Sequence, residues 1–389
     1  MSSQTLTAVQ HRTGGAPLDP YAVSLDPSPV RRVAPRRRTA GTAQDDHVKE
    51  FGVLLAEVRA AGLLGRRRGW YVGRTLVLLA LFGIGFAVLF GLGASWWQLL
   101  TAAYFGVLFT QTAFLAHDSA HKQIFESGAR GVLFSRLIGN LGIGLSYGWW
   151  LDKHSRHHAH PNTIGTDRDI RPGAVVFTPQ DAAGRTGVAA WLMARQGWFF
   201  FPILLLAGID LHRNAVLAVL HGRSVDHRLI EGSLLAIRLL GFPTLVVLAA
   251  GPGIGAAFMG VQLAVFGFTM GGSFAPNHKG MPLIEPGVRT DYLRRQVLTS
   301  RNITGGWLIE KAMGGLNFQI EHHLFPSMPS VNLRRARPLV QAYCRERGIR
   351  YTETTLLQSW VIVVRYLHRV GIKAADPFDC PAAATFRSE

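Results

Sequence analysis

Three short stretches carry the residues best suited to chemistry. His154, His157 and His158 place three imidazoles within five residues. On a helix the offsets i, i+3 and i+4 bring them onto roughly one face. Three histidines on one face fill a core poorly and make a good set of metal ligands. His117 and His121 stand one helical turn apart, and Gln319, His322 and His323 repeat the i+3, i+4 pattern with Gln in the first place. His278 is a further candidate, alone in sequence beside Asn277. A structural zinc takes four ligands and a catalytic zinc three. The eight imidazoles of His117, His121, His154, His157, His158, His278, His322 and His323 are too many for one ion and suit two.

All-nitrogen ligation with open positions suits iron, copper or zinc. Soluble di-iron proteins use Glu and Glu-x-x-His on a four-helix bundle. That pattern does not stand out here, so the expected site is a different, histidine-rich one. Each metal-bound histidine is expected to donate its other N–H to a carbonyl or carboxylate. Asp118, Asp152, Asp167, Asp169 and Glu321 are the carboxylate candidates, without pairing assigned. His160 reads equally well as a partner behind the ligands or as an exposed residue. His11, His47, His212, His221, His227 and His368 read as ordinary histidines of an interface or surface.

The elements that must position these clusters are apolar. Of 389 residues 48% are hydrophobic and mean hydropathy is +0.17, yet the formal net charge is +17. That combination points to a membrane protein with its charge gathered on one side. Nucleic-acid binding is not expected, because no stacking motif, zinc-finger spacing or helix-turn-helix pattern accompanies the charge. The two cysteines, Cys344 and Cys380, form no CxxC pair and no disulfide framework, which fits a reducing, cytosol-facing setting.

Residues 1–44 are rich in Ser, Thr, Pro, Gly, Ala and Arg and read as a disordered basic tail. It has no apolar core, so it is no secretory signal. It could hold anionic headgroups or an acidic partner, or simply be solvated and help set orientation. Asp46 to Leu64 has helical amphipathic spacing, and Arg66–Arg68, Trp70 and Tyr71 form a basic and aromatic belt. Thr75 to Ala116 carries no charged residue, twice the length that one span needs. The expected plan is a hairpin with spans at about 74–93 and 97–116, turning at Gly91–Ser95. A second hairpin follows, with spans at about 232–250 and 254–275 and a turn at Gly251–Gly253. Residues 131–151 and 191–221 read as interfacial helices, 162–185 as a polar loop, and 331–370 as one or two amphipathic helices. Residues 371–389 are a tail. By the positive-inside rule the N-terminus, and with it every histidine cluster, is cytoplasmic. The expected fold is therefore an all-α integral membrane protein of four transmembrane helices in two hairpins, with interfacial helices and a cytoplasmic helical cap. The domain proper spans 45–370 in the inner or plasma membrane.

The boxes His117-x3-His121, His154-x2-His157-His158 and Gln319-x2-His322-His323 resemble those of the membrane-bound fatty acid desaturase family. The run Asn317-Phe-Gln-Ile-Glu-His-His-Leu-Phe-Pro326 is similar to the third box of its front-end branch. The resemblance covers about residues 50–370. Three boxes in order between the right spans are far more specific than one HxxxH. The resemblance implies a mushroom-shaped helical fold, a centre of two iron ions, and O2-dependent insertion of a cis double bond into a long-chain acyl substrate, acyl-CoA or acyl-lipid. It also implies an extra histidine after the fourth span, the place of His278.

Two departures bear on the partners. Many front-end members carry a fused cytochrome b5-like domain with a His-Pro-Gly-Gly motif, which this sequence does not contain. A separate carrier, a ferredoxin or a flavin reductase, is therefore the expected electron donor. Gln319 stands where many other members have histidine, as a weak oxygen ligand or a hydrogen-bond partner to a metal-bound water. Hydroxylation at the same kind of centre is the rival within the class. Outside it, a non-enzymatic metal-binding or transport protein is disfavoured, since transporters place polar ligands near mid-membrane and these histidines lie at span ends.

Overall fold

The computed structural model describes residues 40–375 apart from 127, 184 and 223. The expected basic tail therefore lies outside the described residues up to position 39, and the C-terminal tail beyond 375. The first helix, α1 (Ala40–Ala60), starts a few residues before the expected boundary.

Long apolar runs give long helices. α2 (Arg68–Leu92) and α3 (Gln98–Ala120) are both long and apolar enough to cross a membrane. They pack antiparallel: Gln98 Nε2 donates to Leu89 O at 2.7 Å near one end, and Tyr71 Oη donates to Asp118 at 3.2 Å near the other. Phe82 meets Phe105 and Phe109 between them. α2 turns Val72, Leu76, Val77 and Leu79 outward, whereas α3 is mostly buried. An apolar face left outward on this scale is what a lipid solvent requires.

After α3 the chain forms α4 (Ala129–Arg136), a π-helix over Leu137–Ile143, and α5 (Tyr147–Ala159), which carries the second histidine cluster. A short 3-10 turn (Arg168–Ile170), α6 (Pro179–Ala182) and α7 (Gly187–Met193) punctuate the expected polar loop and its exit. α8 (Gln196–His221) fills most of the segment expected as an interfacial helix; it runs through Asp210, His212 and Arg213 for 26 residues and is also long and apolar enough to cross a membrane. Its partner is the second half of α9 (Arg228–His278). The two cross where backbones touch: a Cβ added at Gly267 would lie 2.5 Å from Gly208 N and from Leu204 O. Small residues at a helix crossing allow that approach.

α9 contains the two expected spans in one run, interrupted at Gly251 (φ 75°, ψ 166°). The left-handed φ suits glycine, and Pro252 follows. The chain doubles back there, so that Gly255 returns against Val247 and Phe242 packs near Phe258. α3, both halves of α9 and the π-helix share one apolar cluster that includes Phe105, Phe109, Ile143, Phe242, Phe258 and Met270.

A second cluster is built beyond the end of α9. It joins α1 to α10 (Tyr292–Leu298), α12 (Gln319–Leu324) and α13 (Ser330–Glu346) through Leu54, Val58, Leu293, Leu324, Leu333 and Val340. Between α10 and α12 come β1 (Asn302–Thr304) and α11 (Gly306–Ala312). β1 pairs in parallel with β2 (Glu353–Thr355), and α14 (Leu356–Ala375) packs against α8. The sequence offered no sign of this three-residue pair, which is too short for an alternating pattern to be read.

Candidate metal centre

Each histidine cluster is set by its helix end. His117 lies in the last turn of α3, and His121 is its C-cap. α5 begins at Ser146, whose hydroxyl accepts from Trp149 N at 3.3 Å as N-cap, and runs through His154, His157 and His158. α12 presents His322 and His323 after Phe318, and His278 ends α9.

The structure sorts these eight residues into two groups. The ligand atoms of His117, His121, His154, His158 and His322 all lie within 4.8 Å of one another, as do those of His157, His278 and His323. In the first group His154 Nε2 is 2.8 Å from His121 Nε2 and 3.1 Å from His158 Nε2, which is 3.1 Å from His322 Nε2. In the second, His157 Nε2 is 3.3 Å from His278 Nε2. The expectation that α5 offers three histidines on one face is thus refined. His154 and His158 share a face at i, i+4, while His157 is turned to the other group, as consecutive helix positions must diverge by about 100°. His322 and His323 divide in the same way.

Four of the outer nitrogens have partners of the kind that hold metal-bound imidazoles in one tautomer, whereas His158 Nδ1 and His322 Nδ1 are buried without one. His157 Nδ1 donates to Asp167 at 3.0 Å, His278 Nδ1 to Thr299 O at 3.0 Å, His323 Nδ1 to Gln296 Oε1 at 2.9 Å and His117 Nδ1 to Asp118 at 3.2 Å. With Nδ1 protonated, Nε2 carries a lone pair aimed inward. His117 Nε2 and His323 Nε2 are buried with no protein partner. Orphaned buried acceptors cost about 1–3 kcal/mol each, a cost that a bound cation removes. Burial, reinforced by the neighbouring imidazoles, pushes His121, His154, His158, His322 and His323 well below the usual histidine range. They are neutral, as ligands must be. The donor set therefore fits metal.

The remaining candidates separate clearly. Asp118 binds His117 and is itself held by Ser330 Oγ at 2.7 Å and Arg74 at 3.3 Å. Asp167 is 1% exposed, and Asp169 lies 3.4 Å from His157 Nδ1 while paired with Lys153. Asp152 instead pairs with Arg156 and Arg168, away from the imidazoles. Glu321 is turned to Tyr351 Oη at 2.6 Å and Asn302 Nδ2 at 2.8 Å, and burial pushes its carboxyl up to about 7. Gln319 Nε2 sits 3.0 Å from His278 Nε2, and Gln319 Oε1 accepts from Asn277 Nδ2 at 3.0 Å. His160 is exposed at the end of α5, outside both groups. Among the residues read as ordinary, His212 donates to Ile143 O at 3.0 Å.

Several residues of the site had no sequence signal. Gln296 links the two groups, since its Nε2 donates to His158 O at 2.9 Å while its Oε1 accepts from His323. Asn162, at φ 52°, donates to His278 O and Thr299 O and so ties the loop after α5 to the end of α9. Trp150 stacks on His154 at 4.4 Å. Beside His117 a narrow pocket of about 30 Å³ opens between α3, the π-helix, α5 and α9, walled by Ala113, Ala116, Ile143, Leu145, Met270 and Phe274. It is apolar and reaches an imidazole of the first group.

The sequence model for fatty acid desaturases matches residues 94–355, more than half of the chain and all eight histidines. The chain belongs to the fatty acid desaturase family. This is a family of oxidoreductases of lipid metabolism. The chain is 29% identical over 342 residues to an acyl-lipid (9-3)-desaturase of Physcomitrium patens, covering 85% of this chain and 64% of that protein. It is 28% identical over 354 residues to Delta(8)-fatty-acid desaturase 2 of Arabidopsis thaliana, covering 86% and 78%. A Delta(5) fatty acid desaturase of Caenorhabditis elegans is 29% identical over 326 residues, covering 78% and 69%. The chain thus spans less than two-thirds of the moss protein's length.

Proposed function

We propose that this desaturase-family chain is an O2-dependent fatty acyl desaturase that inserts a cis double bond into a long-chain acyl substrate at a di-iron centre. The observation that carries the reading is the sorting of eight imidazoles into two adjacent groups beside an apolar pocket. In this reading His117, His121, His154, His158 and His322 would hold one iron, and His157, His278 and His323 would hold the other. Gln319 and Asn277, next to His278, would serve there as weak ligand or hydrogen-bond partners. A bound iron pair supplies O2 reduction and the removal of hydrogen from an unactivated methylene, which side-chain acids and bases do not provide.

The chain's own residues bind, orient and seal. Ala113, Ala116, Leu145 and Met270 give the acyl chain an apolar path that ends at His117. Phe274 and Trp150 close the path around the imidazoles and exclude water. Asp118, Asp167, Thr299 and Gln296 hold the ligands in the tautomer that aims Nε2 inward. The pocket is narrow, so an acyl chain is accommodated by side-chain displacement along a fixed backbone.

In this reading the apolar segments at α2, α3 and the two halves of α9 form two transmembrane hairpins and α8 lies at the interface, with the histidines on the cytoplasmic side where the basic residues lie. Electrons come from a separate carrier, a ferredoxin or a flavin reductase. The acyl chain is carried as acyl-CoA or acyl-lipid, and the name of the moss relative, an acyl-lipid desaturase, supports the second. The test is a fatty-acid profile of cells expressing the chain with a ferredoxin and its reductase, beside His157→Ala/His158→Ala. A new unsaturated acid lost in the variant supports the reading. A hydroxylated product moves the chain to hydroxylation at the same centre, and no new product with iron bound and the donor active counts against both.

A further inference from the structure

Two buried carboxylates among the described residues, Glu321 and Glu231, serve neither histidine group. Glu231, in the first turn of α9, is 0% exposed and gathers donors from a single stretch of chain. Ser146 Oγ donates to it at 2.7 Å, Gly148 N at 3.2 Å, Asn140 Nδ2 at 3.3 Å and Arg136 Nε at 3.3 Å. Asn140 Oδ1 in turn accepts from Tyr147 N at 3.2 Å. The stretch they define, residues 136–148, comprises the end of α4, the π-helix and the start of α5. Two more side chains pin its backbone from outside: His212 donates to Ile143 O at 3.0 Å and Arg238 Nε to Gly142 O at 3.4 Å.

This stretch forms one wall of the pocket beside His117. Gly139, Ile143, Leu145, Ser146 and Tyr147 all line it. A π-helix is a rare departure from the α-helix and is frequently found at functional sites. Left to itself such a wall would relax toward α-helix and shift the residues along it. A buried carboxylate with four donors resists that, because breaking one arm leaves buried polar groups unsatisfied. Ser146, an arm of the clamp, is also the N-cap of α5, so the clamp connects the wall to the helix that carries His154 and His158.

Resting on the desaturase reading, we infer that Glu231 is a positioning residue that fixes the pocket wall relative to the metal centre and thereby selects which carbon–carbon bond of the acyl chain is desaturated. Methylenes of an acyl chain are chemically alike, so only its depth in the pocket tells them apart. A misplacement of about 1 Å costs on the order of a hundredfold in rate at one position, enough to let a neighbouring position compete.

The test compares wild type, Glu231→Ala, Glu231→Gln and Arg136→Leu in the full chain, with three readouts: double-bond position by mass spectrometry, iron per chain, and hydrogen exchange over residues 137–148. Gln keeps one oxygen for Ser146, Asn140 and Gly148 and loses the Arg136 arm, as Arg136→Leu does. Glu231→Ala is expected to retain iron, exchange faster over 137–148, and raise the ratio of minor to major positional isomer by about tenfold, with smaller rises in the other two. Lower conversion with an unchanged isomer ratio overturns the inference and leaves Glu231 a structural residue. Iron lost in step with conversion also overturns it. If Glu231→Ala does not accumulate, an unchanged ratio in both Glu231→Gln and Arg136→Leu is decisive against it. A wild type that makes no unsaturated product refutes the desaturase reading instead, and unaltered exchange over 137–148 in the variants then refutes the clamp.

Discussion

Replacing Asp167 by Asn changes one side-chain oxygen to nitrogen and tests whether the second histidine group is a metal site. The Asp167 carboxylate accepts from His157 Nδ1 at 3.0 Å, Asn162 N at 2.8 Å and Asp169 N at 2.9 Å, and it is 1% exposed. Burial pushes the carboxyl up, but the neighbouring His157 and Lys279 outweigh this and hold it below the usual range. It is therefore an acceptor at every atom, and it fixes His157 with its lone pair toward His278 and His323. Asn offers one oxygen to three donors and turns its amide N–H toward at least one of them. Removing an outer partner of this kind weakens metal affinity by about 10–100-fold. At about 1.4 kcal/mol per tenfold, the loss is roughly 1.4–2.8 kcal/mol. The assay is iron retained per chain in detergent against graded chelator. Asp167→Asn should release about half of its iron at about 10–100-fold lower chelator than wild type, with the other half unchanged. Iron retention equal to wild type refutes the reasoning. Loss of all iron together with helical circular dichroism refutes it too, since Asp167 would then be holding the fold.

Four further outcomes follow from named contacts. His278→Ala removes one of three ligands of the second group, so iron per chain should fall from two to about one with loss of product; two irons retained would contradict the grouping. Ala113→Leu adds bulk to the pocket beside His117, and fatty-acid profiling should show conversion of the longest chains lost first. Gly267→Ala places a methyl group 2.5 Å from the backbone of α8, which should lower the thermal midpoint in detergent through an overpacking cost of about 1–3 kcal/mol. Burial pushes the Cys344 thiol up to about 11, and it is 0% exposed, so a maleimide at neutral pH should label this cysteine only after denaturation.

Much of the frame was legible because membrane solvent imposes a simple rule. An apolar run long enough to cross must satisfy its backbone internally, so it becomes a helix. That made α2, α3 and the two halves of α9 readable, with the break at Gly251–Pro252 marking the reversal. α8 shows the limit of that rule: the apolar run Trp198–Ile209 stops at Asp210, yet the helix continues, because Asp210 pairs with Asn214, one turn on, and His212 finds the carbonyl of Ile143. A sequence shows the polar groups and hides the partners that make them tolerable.

The chain's own order of residues determined which side chains meet at the centre. Seven histidines at helical spacing near the ends of apolar runs, with His278 alone after the last, mark a candidate metal site without any coordinates, and their chemistry narrows the metals. Tertiary structure decided how they divide. His157 and His158 are neighbours in sequence yet serve different groups, because successive residues of a helix point about 100° apart and the partner of each arrives from a different helix. It also decided what stands behind them. Thr299 supplies a backbone carbonyl, and Gln296 and Glu231 act through contacts 27 and 85 residues away along the chain. Backbone carbonyls carry no residue signature and such distances leave no spacing to read, so only the folded packing of helix ends reveals them.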